Sequence, residues 1–119
     1  MRIARRFLQA GVLGIALAVG VVSTALAANE GHFYTGTSET GSSFAMDWGT
    51  TKATLSATFD NNISSMTSVN PTSHGFVLWT DANGQGSSFK VCGPTDRNTM
   101  PTGFDNTVSS IYSTSICPQ

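Results

Sequence analysis

Displaced along itself by 45 positions, the chain aligns with its own sequence without a gap. Between residues 32–69 and 77–114, thirteen of the thirty-eight pairs are identical, against a chance level of roughly one in fifteen per pair for ordinary compositions. Gly41-Ser42-Ser43-Phe44 falls on Gly86-Ser87-Ser88-Phe89, and Phe59-Asp60-Asn61 on Phe104-Asp105-Asn106. Thr50 and Thr54 fall on Thr95 and Thr99, and Ser64-Ser65 on Ser109-Ser110. Conservative pairs extend the match: Ile63 with Val108, Met66 with Ile111, Lys52 with Arg97. A period of this length marks a repeated structural unit. Forty-five residues accommodate four short strands and their turns, the size of one Greek key.

The repeat is preceded by a segment of different character. Arg2, Arg5 and Arg6 form a basic head, an apolar run follows from Ala10 to about Val22, and Ala25-Leu26-Ala27 stands before Ala28. That order is the signature of a secretory signal peptide. The apolar run is short for a membrane span, which needs roughly 20 apolar residues. The expected organisation is therefore a signal peptide over 1–27 and a single secreted domain over 28–119, with no membrane attachment after cleavage. The 92 residues of that domain make a small core, and such domains bury a modest fraction of their surface. The domain keeps Lys52, Lys90 and Arg97 against Glu30, Glu39, Asp47, Asp60, Asp81, Asp96 and Asp105, a net charge of −4. Nucleic acid is a poor partner for such a surface, because affinity for it comes from Lys and Arg at phosphates. Hard cations are compatible with it.

The domain is rich in Ser, Thr, Gly and Asn and poor in Lys, Glu and Ala, which disfavours helices. Strand character appears at His32 to Tyr34, Ser43 to Trp48, Ser64 to Val69, Phe76 to Trp79, Ser88 to Cys92 and Ser109 to Tyr112. Turn residues such as Asn70-Pro71 and Asn83-Gly84 separate these segments. Short strands so spaced predict an all-β sandwich or barrel. Eight Phe and Trp residues from Phe33 to Phe104 supply the apolar area that a disordered segment lacks. Cys92 and Cys117, an isolated pair in an exported chain, are expected to form a disulfide. Free thiols and zinc ligation are the alternatives, but no further Cys completes a zinc site, and His32 and His74 lack ligand spacing.

Two patterns recur inside each unit. One is an aromatic, six intervening residues and then Gly, at Tyr34 to Gly41 and Trp79 to Gly86. The other is Asp-Asn-x-x-Ser-Ser, at Asp60 to Ser65 and Asp105 to Ser110. Together they resemble the motif of the microbial calcium-binding βγ-crystallins, and the resemblance covers essentially all of residues 28–119. In that family the aromatic and Gly form a folded hairpin, and N/D-N/D-x-x-S/T-S marks the calcium-binding members. An aromatic ordinarily stands shortly before the Gly; here Glu39-Thr40 and Gly84-Gln85 occupy that region. The resemblance implies two Greek key motifs forming a β-sandwich, repeat one over about 32–69 and repeat two over about 77–114.

The resemblance also implies two Ca²⁺ sites. One would use the Asn62 carbonyl, the Ser64 hydroxyl, Asp105 or Asn106 from the other repeat, and the carbonyl of Thr37 or a neighbour. The other would use the Thr107 carbonyl, the Ser109 hydroxyl, Asp60 or Asn61, and a carbonyl near Ala82. Calcium accepts six to eight such oxygen ligands, water among them. So few carboxylates imply affinities on the order of 10⁻⁴ to 10⁻³ M. The implied function is a secreted calcium-binding protein whose ion stabilises a small two-repeat domain. The alternative on the same fold is a secreted peptidase inhibitor, partnered by a secreted protease, or a killer-toxin-like protein; Gly93 to Gly103 is the candidate inhibitory loop. No G-x-S-x-G elbow or metal-binding His pair accompanies the many serines, so no enzyme activity is expected.

The exported protein should begin within a residue or two of Ala28. N-terminal sequencing of material from the medium checks this, and a sequence starting at Met1 would refute it.

Overall fold

A computed structural model describes residues 29–117; the expected signal peptide lies outside them. Eight strands form, with no helix among the described residues: β1 (Glu30–Tyr34), β2 (Ser43–Asp47), β3 (Thr51–Lys52), β4 (Ser65–Val69), β5 (Gly75–Asp81), β6 (Gln85–Cys92), β7 (Pro94–Arg97) and β8 (Ser110–Thr114). They make two antiparallel four-stranded sheets, in the orders β2-β1-β4-β7 and β3-β8-β5-β6. This is the expected all-β sandwich of two Greek keys.

The six strands expected from sequence are present, and two more join them. β3 and β7 carry little apolar pattern, since both residues of β3 are exposed and β7 is exposed at every second position. They form because each finds an open edge on the sheet of the other repeat. β3 of repeat one pairs with β8 through Thr51↔Tyr112 and Lys52↔Ile111. β7 of repeat two pairs with β4 through Met66↔Arg97 and Thr67↔Asp96. These registers interchange under the 45-residue shift, so the exchange is reciprocal. One consequence falls on Gly93 to Gly103: Pro94–Arg97 is a sheet strand and Met100 is buried, which leaves little of that segment as a projecting loop.

The core lies between the sheets, and the repeat is visible in it. Phe33 and Leu78, Ile63 and Val108, and Met66 and Ile111 are pairs of equivalent positions, all fully buried. One pair is unlike. Gly31 is the counterpart of Phe76, and a Cβ at Gly31 would lie 2.7 Å from the Phe76 ring. Repeat one therefore gives up a side chain so that repeat two can place a ring beside Phe33, edge to face at 5.8 Å.

A second aromatic set fixes the segment ahead of each Asp-Asn-x-x-Ser-Ser motif. Phe59 packs edge-on against Phe44 of β2 at 4.7 Å, and Phe104 against Phe89 of β6 at 4.6 Å. Lys52 lies over the Phe44 ring and Arg97 over the Phe89 ring, at 5.4 and 5.6 Å. The two histidines take structural places: His32 hydrogen-bonds Glu30 at 2.9 Å, and His74 stacks on Trp48 at 3.7 Å. Cys92 and Cys117 form the expected disulfide, which ties the C-terminal segment to the end of β6.

Phe76→Ala should destabilise the domain by about 3–5 kcal/mol, and Gly31→Ala by about 1–3 kcal/mol through overpacking. Urea unfolding measures both. Reduction of the disulfide, verified by a mass increase of two hydrogens, should cost about 3–4 kcal/mol for a loop of this length.

Candidate metal centre

The two Asp-Asn-x-x-Ser-Ser segments follow the Phe59 and Phe104 anchors and lead into β4 and β8. In each, the chain reverses through the Asn: Asn61 and Asn106 have φ of 60° and 59°. Asn tolerates this left-handed conformation better than most residues with a side chain, because its short amide can bond locally. The reversal sends each Asn main chain into the other repeat. The Asn61 N–H donates to the Val108 carbonyl at 3.0 Å, and the Asn106 N–H donates to the Ile63 carbonyl at 3.1 Å.

The side chains cross in the same way. The Ser64 hydroxyl donates to Asn106 Oδ1 at 3.1 Å, and the Ser109 hydroxyl donates to Asn61 Oδ1 at 3.3 Å. The fifth motif position of each repeat thus meets the second position of the other. Sequence reasoning left Asp105 or Asn106, and Asp60 or Asn61, as alternatives; the contacts made to Ser64 and Ser109 are those of the asparagines. Asp105 is exposed and Asp60 half-buried. The third-position side chains turn back on their own loops, the Asn62 amide donating to the Thr58 carbonyl at 3.0 Å and the Thr107 hydroxyl to the Gly103 carbonyl at 3.1 Å.

The sixth motif position has a different task. Ser65 is fully buried; its hydroxyl donates to the Gly36 carbonyl at 2.6 Å and accepts the Glu39 N–H at 2.9 Å. Ser110 does the same with the Asp81 carbonyl at 2.7 Å and the Gly84 N–H at 3.0 Å. One serine of each pair, just ahead of the strand, addresses the other repeat, and the next, the first residue of β4 or β8, latches the hairpin of its own. The hairpins are further closed by Thr35 and Thr80, whose hydroxyls accept the Ser42 and Ser87 N–H groups at 3.0 Å. Gly41 and Gly86, both at φ 84°, supply the left-handed turn that the motif glycine is needed for. These bonds fold the hairpins without the aromatic that Glu39-Thr40 and Gly84-Gln85 displace.

The hairpins approach the crossed pairs. Ala82, Thr80 and Asp81 line an open depression of about 310 Å³ together with Asp60, Asn61 and Ser109, over Thr54 and Leu55. The Thr37 carbonyl, at the position equivalent to Ala82, accepts the Thr40 hydroxyl at 2.7 Å. Near the first hairpin the Tyr34 phenol is pushed above its ordinary pKa by partial burial, then by the charges of Glu39 and Asp96. Among the described residues no group of three or more His, Cys, Asp or Glu side chains gathers at one point. A cation held here would therefore rely on hydroxyl, amide and main-chain oxygens with a few carboxylates, a donor set that suits calcium. Sequence reasoning did not single out Asp81; the signal that could have done so was its place two residues beyond the motif aromatic Trp79, where repeat one has Gly36.

No protein-family model matches the chain, and no curated protein matches it in sequence. Solved structures do match in fold. A structure concerned with the evolution of the eye-lens βγ-crystallin domain fold superposes with a TM-score of 0.65 at 18% identity, covering 81% of this chain and 95% of the other. An archaeal βγ-crystallin gives 0.60 at 20% identity, covering 74% and 100%. A βγ-crystallin domain from Flavobacterium johnsoniae gives 0.58 at 22% identity, covering 71% and 93%. At these identities the likeness shows that the chain has the βγ-crystallin fold, and all three neighbours are crystallin-type domains.

The two serines of one motif should separate by substitution. Ser110→Ala leaves the Gly84 N–H and Asp81 carbonyl without their shared partner and should cost about 1–3 kcal/mol, measured by denaturant unfolding in chelator. Ser109→Ala under the same metal-free conditions should cost less, because it loses one long bond to an exposed side chain.

Proposed function

We propose that this domain of βγ-crystallin fold is a secreted calcium-binding protein, in which Ca²⁺ bridges the two repeats and stiffens a small core. The observation that carries the reading is the crossing of Ser64 to Asn106 and of Ser109 to Asn61. Each crossing sets a hydroxyl oxygen and an amide oxygen from different repeats beside one another, and both are ligands that calcium accepts. The resemblance of both Asp-Asn-x-x-Ser-Ser segments to the calcium motif supports the same reading. One site would be held by Ser64, Asn106 and the Asn62 carbonyl with hairpin main chain near Thr37. The other would be held by Ser109, Asn61 and the Thr107 carbonyl with hairpin main chain near Ala82 and carboxylate from Asp60.

Bound calcium supplies charge neutralisation and a cross-repeat tether. The protein supplies the pre-arranged oxygens: the Phe59 and Phe104 anchors, the left-handed Asn61 and Asn106, and the Ser65 and Ser110 latches hold the donor groups before any ion arrives. Because these groups come from both repeats, the ion favours the folded domain over the unfolded chain, where the donors are dispersed.

An ion that binds only the folded state stabilises it by RT ln(1 + [Ca²⁺]/Kd), about 2.7 kcal/mol at a hundredfold excess over Kd. The melting temperature should rise with millimolar calcium and fall with chelator. Magnesium should do little, because it demands octahedral geometry and gives up water reluctantly. Ser64→Ala and Asn106→Ala should weaken one site, Ser109→Ala and Asn61→Ala the other. If Ser64→Ala and Ser109→Ala both retain the full calcium-dependent rise, the motifs are turns only and the proposal fails.

A further inference from the structure

We propose that the two calcium sites are unequal and that Asp81 makes the site at Ser109 the tighter, filling it first; the inference rests on the calcium reading above. The depression at Ser109 is lined by Asp60, Asn61, Thr80, Asp81 and Ala82. Under the 45-residue shift Asp60 maps to Asp105, Asn61 to Asn106, Ser109 to Ser64 and Thr80 to Thr35, so the chemistry of those positions is kept. Asp81 maps to Gly36. The Ser109 depression therefore counts two acidic residues, Asp60 and Asp81, among those that line it, where the equivalent positions at Ser64 provide one, Asp105.

The main chain holds both residues in the same place. The Asp81 carbonyl accepts the Ser110 hydroxyl at 2.7 Å, and the Gly36 carbonyl accepts the Ser65 hydroxyl at 2.6 Å. The latch is common to both repeats, and what differs is the carboxylate that Asp81 adds. Glu39, the acidic residue of the first hairpin, does not restore the balance. It maps to Gly84, and Asp96, the other carboxylate near Tyr34, maps to Thr51; neither position lines the depression, and with the Asn98 amide oriented to donate, its nitrogen holds the Glu39 oxygens at 3.0 and 3.3 Å.

Oxygen sites for calcium are tuned over several decades of affinity by ligand charge and rigidity. An added carboxylate at contact range of a divalent ion is a large term in such a site. The expected difference between the two sites is on the order of tenfold or more. At calcium levels between the two dissociation constants the protein would carry one ion, bound at the Ser109 site.

The test follows the side-chain amide signals of Asn61 and Asn106 by NMR during calcium titration of the purified protein, alongside calorimetry. The Asn61 signal should move at lower calcium than the Asn106 signal. Asp81→Asn, isosteric and exposed, should keep the metal-free melting temperature and bring the two movements to the same calcium range. In a Ser64→Ala background, which isolates the Ser109 site, Asp81→Asn should weaken calcium binding about tenfold. In a Ser109→Ala background it should change nothing. Movement of both amides together in the unsubstituted protein, or an order that survives Asp81→Asn, overturns the proposal and leaves the calcium reading standing. An absence of movement at either amide through the millimolar range overturns both.

Discussion

The reciprocal exchange of two short strands is the constraint on which the rest of the structure depends. β3 leaves repeat one to pair with β8, and β7 leaves repeat two to pair with β4. Neither repeat completes a four-stranded sheet from its own residues. The exchange closes one edge of each sheet against the other repeat and forces both apolar faces into one shared core, where Phe33, Phe76, Met66 and Ile111 are fully buried. An edge strand left unpaired would expose a row of unsatisfied backbone groups. A single repeat would expose half of a core as well.

The candidate metal centre inherits this arrangement. Once the strands are exchanged, the loops ahead of β4 and β8 lie side by side, and Asn61 and Asn106 bond the main chain of the opposite loop. The aromatic pairs at Phe59 and Phe104 fix where those loops begin, and the Ser65 and Ser110 latches fix where the hairpins sit over them. Binding and folding are coupled by the same geometry. Any ion held by Ser64 with Asn106, or by Ser109 with Asn61, is held by both repeats at once.

The departures from symmetry show where one repeat does something the other does not. Gly31 yields its side-chain volume to Phe76, so the middle of the core is filled by one ring where two would collide. Cys92, opposite Asp47 in the repeat, ties down the segment that follows β8, which has no counterpart in the first half. Asp81, opposite Gly36, places a carboxylate at a hairpin position where repeat one has no side chain.

The sequence by itself determined the duplication, the six strands with apolar alternation, the cysteine pair and the two motifs, because each leaves a periodic or spaced signal in the chain. It could not resolve β3 and β7, whose residues are largely exposed and whose formation depends on an edge offered by residues some sixty positions later or thirty earlier. Nor could it say which of Asp60 and Asn61, or of Asp105 and Asn106, meets the serine of the opposite repeat, since both residues of each pair can present an oxygen. That contact follows from the backbone: a φ near 60° at the second position accompanies the approach of the amide, rather than the preceding carboxylate, to the serine of the opposite repeat. It lies outside any local pattern because the serine that completes the contact is more than forty residues away in the chain and is brought there only by the strand exchange.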